Sequence, residues 1–168
     1  LTNGAGIRCR GILHAIGEPS APIVIQSTGS IFSGIECTGS PSVRLAHLEF
    51  EDLSTWTDSP ERHAPALALR ACTSAELTAC RLQHLRGHGI EVVQSRVELR
   101  DCVIHRCSGS ALVATGAAEV LAQRTTLAFA RNGATATDGA RVILRECDLR
   151  GNLVGAMAAR SARNWPGG

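Results

Sequence analysis

The chain has 168 residues, enough for one domain, and 44% of them are apolar, ordinary for a globular protein with a real core. Seventeen Lys and Arg against fifteen Asp and Glu leave a formal charge of +2, too balanced to hold nucleic acid or an anionic membrane by bulk electrostatics. Three Phe, two Trp and no Tyr offer few stacking platforms, which counts against a lectin, and no apolar run approaches the roughly 18 residues of a membrane span.

Taken in chain order, the sequence can be written as a stack of similar lines. It opens with GILHAIGEPSAPIVIQS, Gly11 to Ser27. Lines then start at Gly34 (GIEC), Ala66 (ALAL), Gly89 (GIEV), Ala111 (ALVA), Ala134 (ATAT) and Ala156 (AMAA). After the first, long line the starts lie 23, 22, 23 and 22 residues apart. Each line carries a second segment: VRLAHLEF from Val43, AELTACRL from Ala75, RVELRDCVI from Arg96, EVLAQRTTL from Glu119 and RVILRECDL from Arg141. Apolar and polar residues alternate at period two in both, the mark of strands with one buried face. In the first column Ile35 and Cys37, Leu67 and Leu69, Ile90 and Val92, Leu112 and Ala114, and Thr135 and Thr137 are expected to point inward. In the second, Leu45/Leu48/Phe50, Leu77/Cys80/Leu82, Leu99/Cys102/Ile104, Ala122/Thr125/Leu127 and Leu144/Cys147/Leu149 share the template L-x-x-C-x-L.

Helical solenoids need repeats of about 33 to 47 residues with helical periodicity, and the leucine-rich consensus is not reproduced. The spacing therefore predicts an all-β, right-handed parallel β-helix: a solenoid of six to seven coils with 22–23-residue repeats and one long loop in the second full coil. Residues 1–168 form one such domain. Neither LTNGAGIRC nor ARSARNWPGG looks like a solenoid cap, so a segment of a longer chain, stacked on further coils or caps, is expected. The Gly11–Ser27 stretch resembles the opening coils of right-handed parallel β-helix proteins, and CRLQHLRGHGIEV resembles coils shared by pectate-lyase-like and carbohydrate-binding β-helix repeats. That resemblance implies the fold and an extracellular or cell-envelope setting, and it leaves activity open, because lyases, hydrolases, epimerases and inert scaffolds share this architecture.

Seven cysteines, an odd number with no CxxC, fit neither a closed disulfide framework nor a zinc ribbon. As small buried side chains they suit a narrow core, and free thiols are expected, although Cys80 and Cys102 stand one coil apart. Opposite charges are expected to stack across coils: Arg44 over Glu76, Glu49 over Arg81, and Asp101 over Arg124 over Glu146. Glu36 and Glu91, on one face with a coil between them, are expected about 9.6 Å apart from twice the coil rise, just past the range of an inverting glycosidase pair.

Function is expected at the loop EDLSTWTDSPERHAP, Glu51 to Pro65, and at the turns above it. Candidate ligand-binding residues are Trp56, Asp58 and His63 in the loop and His84, Arg86, His88 and His105 at the turns. Imidazoles and guanidiniums of this kind suit an anionic sugar or a carboxylate peptide. His84 and His88 would share a zinc ion only on a helix, which the period excludes, so no metal and no cofactor is expected. The glycines of GHG (87–89), SGS (108–110) and RNG (131–133) are read as small or left-handed coil corners. The reading is a noncatalytic structural or recognition module binding a polysaccharide or protein partner, with no nucleic acid; the alternative is part of a carbohydrate-active enzyme, a polysaccharide lyase, hydrolase or epimerase.

Overall fold

The computed structural model describes residues 5–26, 32–53 and 64–159. Within them the chain winds into stacked coils of three short strands each. The first coil holds β1 (Ala5–Cys9), β2 (Leu13–Ile16) and β3 (Ile23–Gln26), and the second β4 (Phe32–Thr38), β5 (Val43–Ala46) and β6 (Leu48–Glu51). The third holds β7 (Pro65–Arg70), β8 (Ala75–Thr78) and β9 (Arg81–Leu85), and the fourth β10 (His88–Val93), β11 (Arg96–Arg100) and β12 (Val103–Cys107). The fifth holds β13 (Ser110–Thr115), β14 (Glu119–Gln123) and β15 (Thr126–Ala128). A sixth coil contributes β16 (Asn132–Thr137) and β17 (Arg141–Arg145), and β18 (Val154–Ala159) begins the next.

Every strand pairs in parallel with its counterpart in the coils above and below, giving sheets of seven, six and five strands. The fold class is therefore the expected β-helix. The described residues make five complete coils and parts of two more, slightly short of the expected count. Three strands per coil replace the two read from the sequence, because the L-x-x-C-x-L segment is not one strand. It bends at a single residue of positive φ: His47, Ala79, Asp101, Arg124 and Glu146, with φ between 47° and 54°. A left-handed residue between extended neighbours swings the chain sharply at the cost of about 1–2 kcal/mol for a side chain with a Cβ.

The other corners use the same device. Gly39, Ala71, Gln94, Gly116 and Asp138 form one left-handed column, and Asp52, His84, Arg106, Phe129 and Gly151 another. The glycines of GHG, SGS and RNG are not these left-handed residues. Gly89 instead lets backbones approach: a Cβ there would come within 2.5 Å of Ile104 Cγ2 and closer still to the Ala111 carbonyl.

Inside the rod, the second-column residues line up as expected: Leu45 opposes Leu77, Phe50 opposes Leu82, Leu82 opposes Ile104, and Ile104 opposes Leu127. One register differs. Leu112 pairs with Ala134 and Val113 with Thr135, so the alanines of ATAT face the core and Thr135 and Thr137 belong to the outward set. Alternating Ala and Thr read equally well in either phase, and the backbone ladder fixes the one that keeps methyls, not hydroxyls, on the core side.

Five of the cysteines share a structural address. Cys72, Cys80, Cys102, Cys107 and Cys147 each directly follow a left-handed corner residue. That position turns inward beside backbone carbonyls. Cys102 Sγ donates to the carbonyls of Arg100 (3.3 Å) and Leu77 (3.5 Å), and Cys80 Sγ to those of Thr78 (3.5 Å) and Leu45 (3.4 Å). Ser95 and Thr125 occupy the same address in other coils and use it more fully. Ser95 Oγ donates to Val93 O (2.8 Å) and accepts from Cys72 N (2.8 Å), while Thr125 Oγ1 donates to Gln123 O (3.0 Å) and accepts from Cys102 N (3.4 Å). All seven cysteines are thiols. Burial, and then the neighbouring thiols of Cys9 and Cys72, push Cys37 up to about 12, and burial alone does the same to Cys107. Such groups stay protonated and inert near neutrality.

Candidate functional site

The turn from the third sheet back to the first carries most of the residues singled out above. Trp56, Asp58 and His63 lie outside the described residues. The chain on either side of them is anchored to the next coil: Arg86 N donates to Leu53 O (3.1 Å) and His88 N to Ala64 O (3.2 Å). Leu53 and Ala64 therefore lie at the same corner that presents His84 and Arg86.

Two adjacent columns run along this edge. The first is outward-facing on the third sheet: Glu51 opposes Gln83, Gln83 opposes His105, and His105 opposes Ala128. The second is the left-handed corner itself, Asp52, His84, Arg106, Phe129 and Gly151. Because coils stack at about 4.8 Å, side chains of successive coils come within bonding reach.

The resulting hydrogen bonds fix the protonation of each ring. Gln83 Nε2 donates to Glu51 Oε1 (2.5 Å), so the amide oxygen faces the other way and meets His105 Nε2 at 2.9 Å. A carboxylate only accepts, which makes His105 the donor through Nε2 and leaves its Nδ1 unprotonated in the neutral ring. Burial lowers the His105 pKa, and its electrostatic neighbours Arg106, His84 and Arg81 lower it further, so that neutral ring prevails near pH 7. In the corner column, Arg106 Nη1 lies 2.7 Å from His84 Nε2. A guanidinium only donates, so His84 accepts on Nε2 and carries its proton on Nδ1, which faces Asp52 Oδ1 at 3.8 Å. The two imidazoles are 6.0 Å apart between centroids.

His88 is not part of this pair of columns. It opens β10 on the far side of the corner, paired with Pro65, and its Nδ1 accepts from Ser110 N at 2.8 Å. It borders an open groove of about 500 Å³ shared with Ser110, Arg131, Asn132 and Met157. His84, Arg86 and His105 thus share one edge, and His88 stands apart from them. Asp52, Gln83 and Phe129 belong to the edge and were not singled out from sequence. The signal for Asp52 and Phe129 was the column of left-handed corner residues, and that for Gln83 was its register between Glu51 and His105.

The carboxylates of the first sheet are committed elsewhere. Glu36 and Glu91 sit two coils apart as expected, but Arg70 reaches between them, with Nε 3.5 Å from Glu36 Oε1 and Nη2 hydrogen-bonded to Glu91 Oε2. Arg8 adds a further contact to Glu36 at 3.4 Å. Most of the anticipated ladder pairs form: Arg44 with Glu76 and Arg81 with Glu49 at 3.8 Å, and Arg124 with Asp101 through two bonds of 2.7 and 2.8 Å, whereas the expected step from Arg124 to Glu146 makes no ion pair among the described residues. The Arg124 guanidinium holds the Asp101 carboxyl below the usual carboxylate range. Among the described residues, no three His, Cys, Asp or Glu side chains converge as a metal site would require.

A family model described as "Right handed beta helix region" matches residues 33–165 of the chain. No curated protein and no solved structure matches it.

Proposed function

The chain belongs to the right-handed β-helix family, and on that premise we propose that it is a noncatalytic structural and recognition module of a larger, secreted or cell-surface protein. It engages a saccharide or protein partner along the His84–Arg106 edge and the loop that leaves it. The single observation behind this reading is Arg70 between Glu36 and Glu91. A glycosidase needs one carboxyl protonated as acid and its partner free as base or nucleophile, at about 5 to 9.5 Å. A guanidinium bonded to both carboxylates occupies the space between them that a glycosidic oxygen would need.

The imidazoles support the same reading. His105 and His84 have their tautomers assigned by Gln83 and Arg106, and among the described residues neither is hydrogen-bonded to a side chain that it could activate as a nucleophile. A rival enzyme would place its chemistry at the groove beside His88. The test is a panel of neutral and acidic polysaccharides assayed for new reducing or unsaturated ends, with His88→Ala in parallel. No turnover by the wild-type protein is expected, and turnover abolished by His88→Ala would sink the proposal.

A further inference from the structure

Charges on this rod are unevenly matched. On the flat faces most arginines meet a carboxylate in the same or the neighbouring coil, as Arg44, Arg70, Arg81 and Arg96 do. At the third corner, Arg86, Arg106 and Arg131 are exposed and meet no carboxylate among the described residues. Arg106 is nonetheless held in place, by the ring nitrogen of His84. A neutral acceptor orients the guanidinium without cancelling its charge, which is the arrangement that pre-organises a cation for an external anion.

The next coil along the same corner presents an aromatic ring. Phe129 stands directly beyond Arg106, since His105 opposes Ala128, and it is 55% exposed. It is held at φ 52°, a costly conformation for a bulky side chain, and its ring lies across Gly151, where a Cβ would come within 2.6 Å of the ring carbons. The ring thus packs against a glycine and stays exposed beside Arg106, where it offers an apolar surface to a partner held by the guanidinium. At the opposite end of the column, Asp52 and Glu51 repel an anion, so the stripe has a direction: acid, imidazole, guanidinium, aromatic.

The geometry points to a docking stripe for an acidic linear peptide, one carboxylate side chain bonding Arg106 and an apolar side chain two residues on resting against Phe129. This rests on the recognition reading above and names its partner. Same-side residues of an extended peptide recur about every 6.8 Å, so a chain laid along the rod axis spans the roughly 4.8 Å from the guanidinium to the ring with side-chain length to spare. Arg86 and Arg131 flank the stripe and accept further carboxylates. A saccharide fits less well at the Arg106–Phe129 end, where a single aromatic ring beside cationic donors offers few acceptors to hydroxyls that need acceptors as well as donors.

Fluorescein-labelled octapeptides of the repeat Glu-Ser-Phe-Ser, which put Glu and Phe on one side of an extended chain, are the probe, read by anisotropy, beside the same peptide with Gln for Glu and an oligouronate of equal charge. The Glu peptide is expected to bind, to weaken as salt is raised from about 50 to 300 mM, and to lose at least tenfold in affinity with Arg106→Gln and with Phe129→Ser. Arg145→Gln, which removes an arginine of another face that meets no carboxylate among the described residues, should leave it unchanged. Failure of the peptide to bind, or equal losses for Arg145→Gln and Arg106→Gln, would overturn the stripe. Preferential binding of the oligouronate through Arg106 and Phe129 would overturn the peptide as partner while leaving a recognition module, whereas turnover of the oligouronate would overturn the module itself. Unchanged circular dichroism of each variant separates lost contacts from lost fold.

Discussion

The inward residue after each left-handed corner carries a testable energetic role. Ser95 is 3% exposed, and its hydroxyl is the hydrogen-bond partner of the buried Cys72 N–H at 2.8 Å. Ser95→Ala removes that acceptor and leaves a buried amide donor without a partner, which costs about 1–3 kcal/mol; about 2 kcal/mol is expected here because Cys72 is itself buried. In a chain of this length that corresponds to a fall in Tm of roughly 4–8 °C. Ser95→Cys keeps the donor to Val93 O and restores a weak acceptor, so it should recover about half of the loss. The reverse exchange tests the same logic. Cys102→Ser places a hydroxyl beside the carbonyls of Arg100 and Leu77 and should cost no more than about 0.5 kcal/mol, whereas Cys102→Ala leaves a sulfur-sized void worth about 1.5 kcal/mol. Urea unfolding midpoints with measured m-values give these differences directly. If Ser95→Ala is neutral, or if Cys102→Ser is less stable than Cys102→Ala, the corner residues are simple apolar filling and the hydrogen-bond account is wrong.

Two further outcomes follow from the geometry. The folded-state pKa of His105 lies below the ordinary value near 6.5, so the unfolded chain takes up the proton first; the ring's contribution to stability is fully present above about pH 6.5 and declines as pH falls from there toward the folded pKa. Urea midpoints at pH 5.5 and 7.5 should therefore differ less for His105→Gln than for the wild type, and equal differences would refute the assignment. Gly89→Ala drives a methyl into Ile104 and the Ala111 carbonyl. It should destabilise by more than about 2 kcal/mol, since both obstacles are packed and one is backbone; a loss under 0.5 kcal/mol would show that the coils can part without cost.

Much of this fold was legible because a solenoid repeats its instructions. Leu77, Cys80 and Leu82 announce their inward direction only weakly alone, but Leu99/Cys102/Ile104 and Leu144/Cys147/Leu149 say the same thing one and three coils on. What stayed hidden was the bend. A corner made by one left-handed residue leaves no Gly or Asn signature when Ala79, Asp101 and Arg124 occupy it, so two strands read as one. The register of ATAT was hidden for a different reason, since small Ala and Thr side chains alternate with almost no contrast in hydrophobicity.

The edge was legible as a set of histidines at one turn, which correctly brought His84, Arg86 and His105 together. It was misread in detail because His88 lies beyond the corner and because Gln83, Asp52 and Phe129 carry no motif. The same blindness applied to Glu36 and Glu91. Their separation followed from counting coils, but Arg70 sits two residues along from the position opposite them, Ala68, and only side-chain reach brings it between them.

The central claim is that the acidic groups of this rod serve its stability and not a reaction, and Glu91 tests it most directly. Catalytic carboxylates are commonly held at some cost to stability, so replacing one tends to stabilise the fold. A carboxylate that bonds Arg70 across a coil does the opposite. Urea unfolding of Glu91→Gln at pH 7 is expected to show a loss of about 0.5–1 kcal/mol relative to the wild type. A gain in stability would mean that Glu91 is kept for chemistry, and would contradict the account.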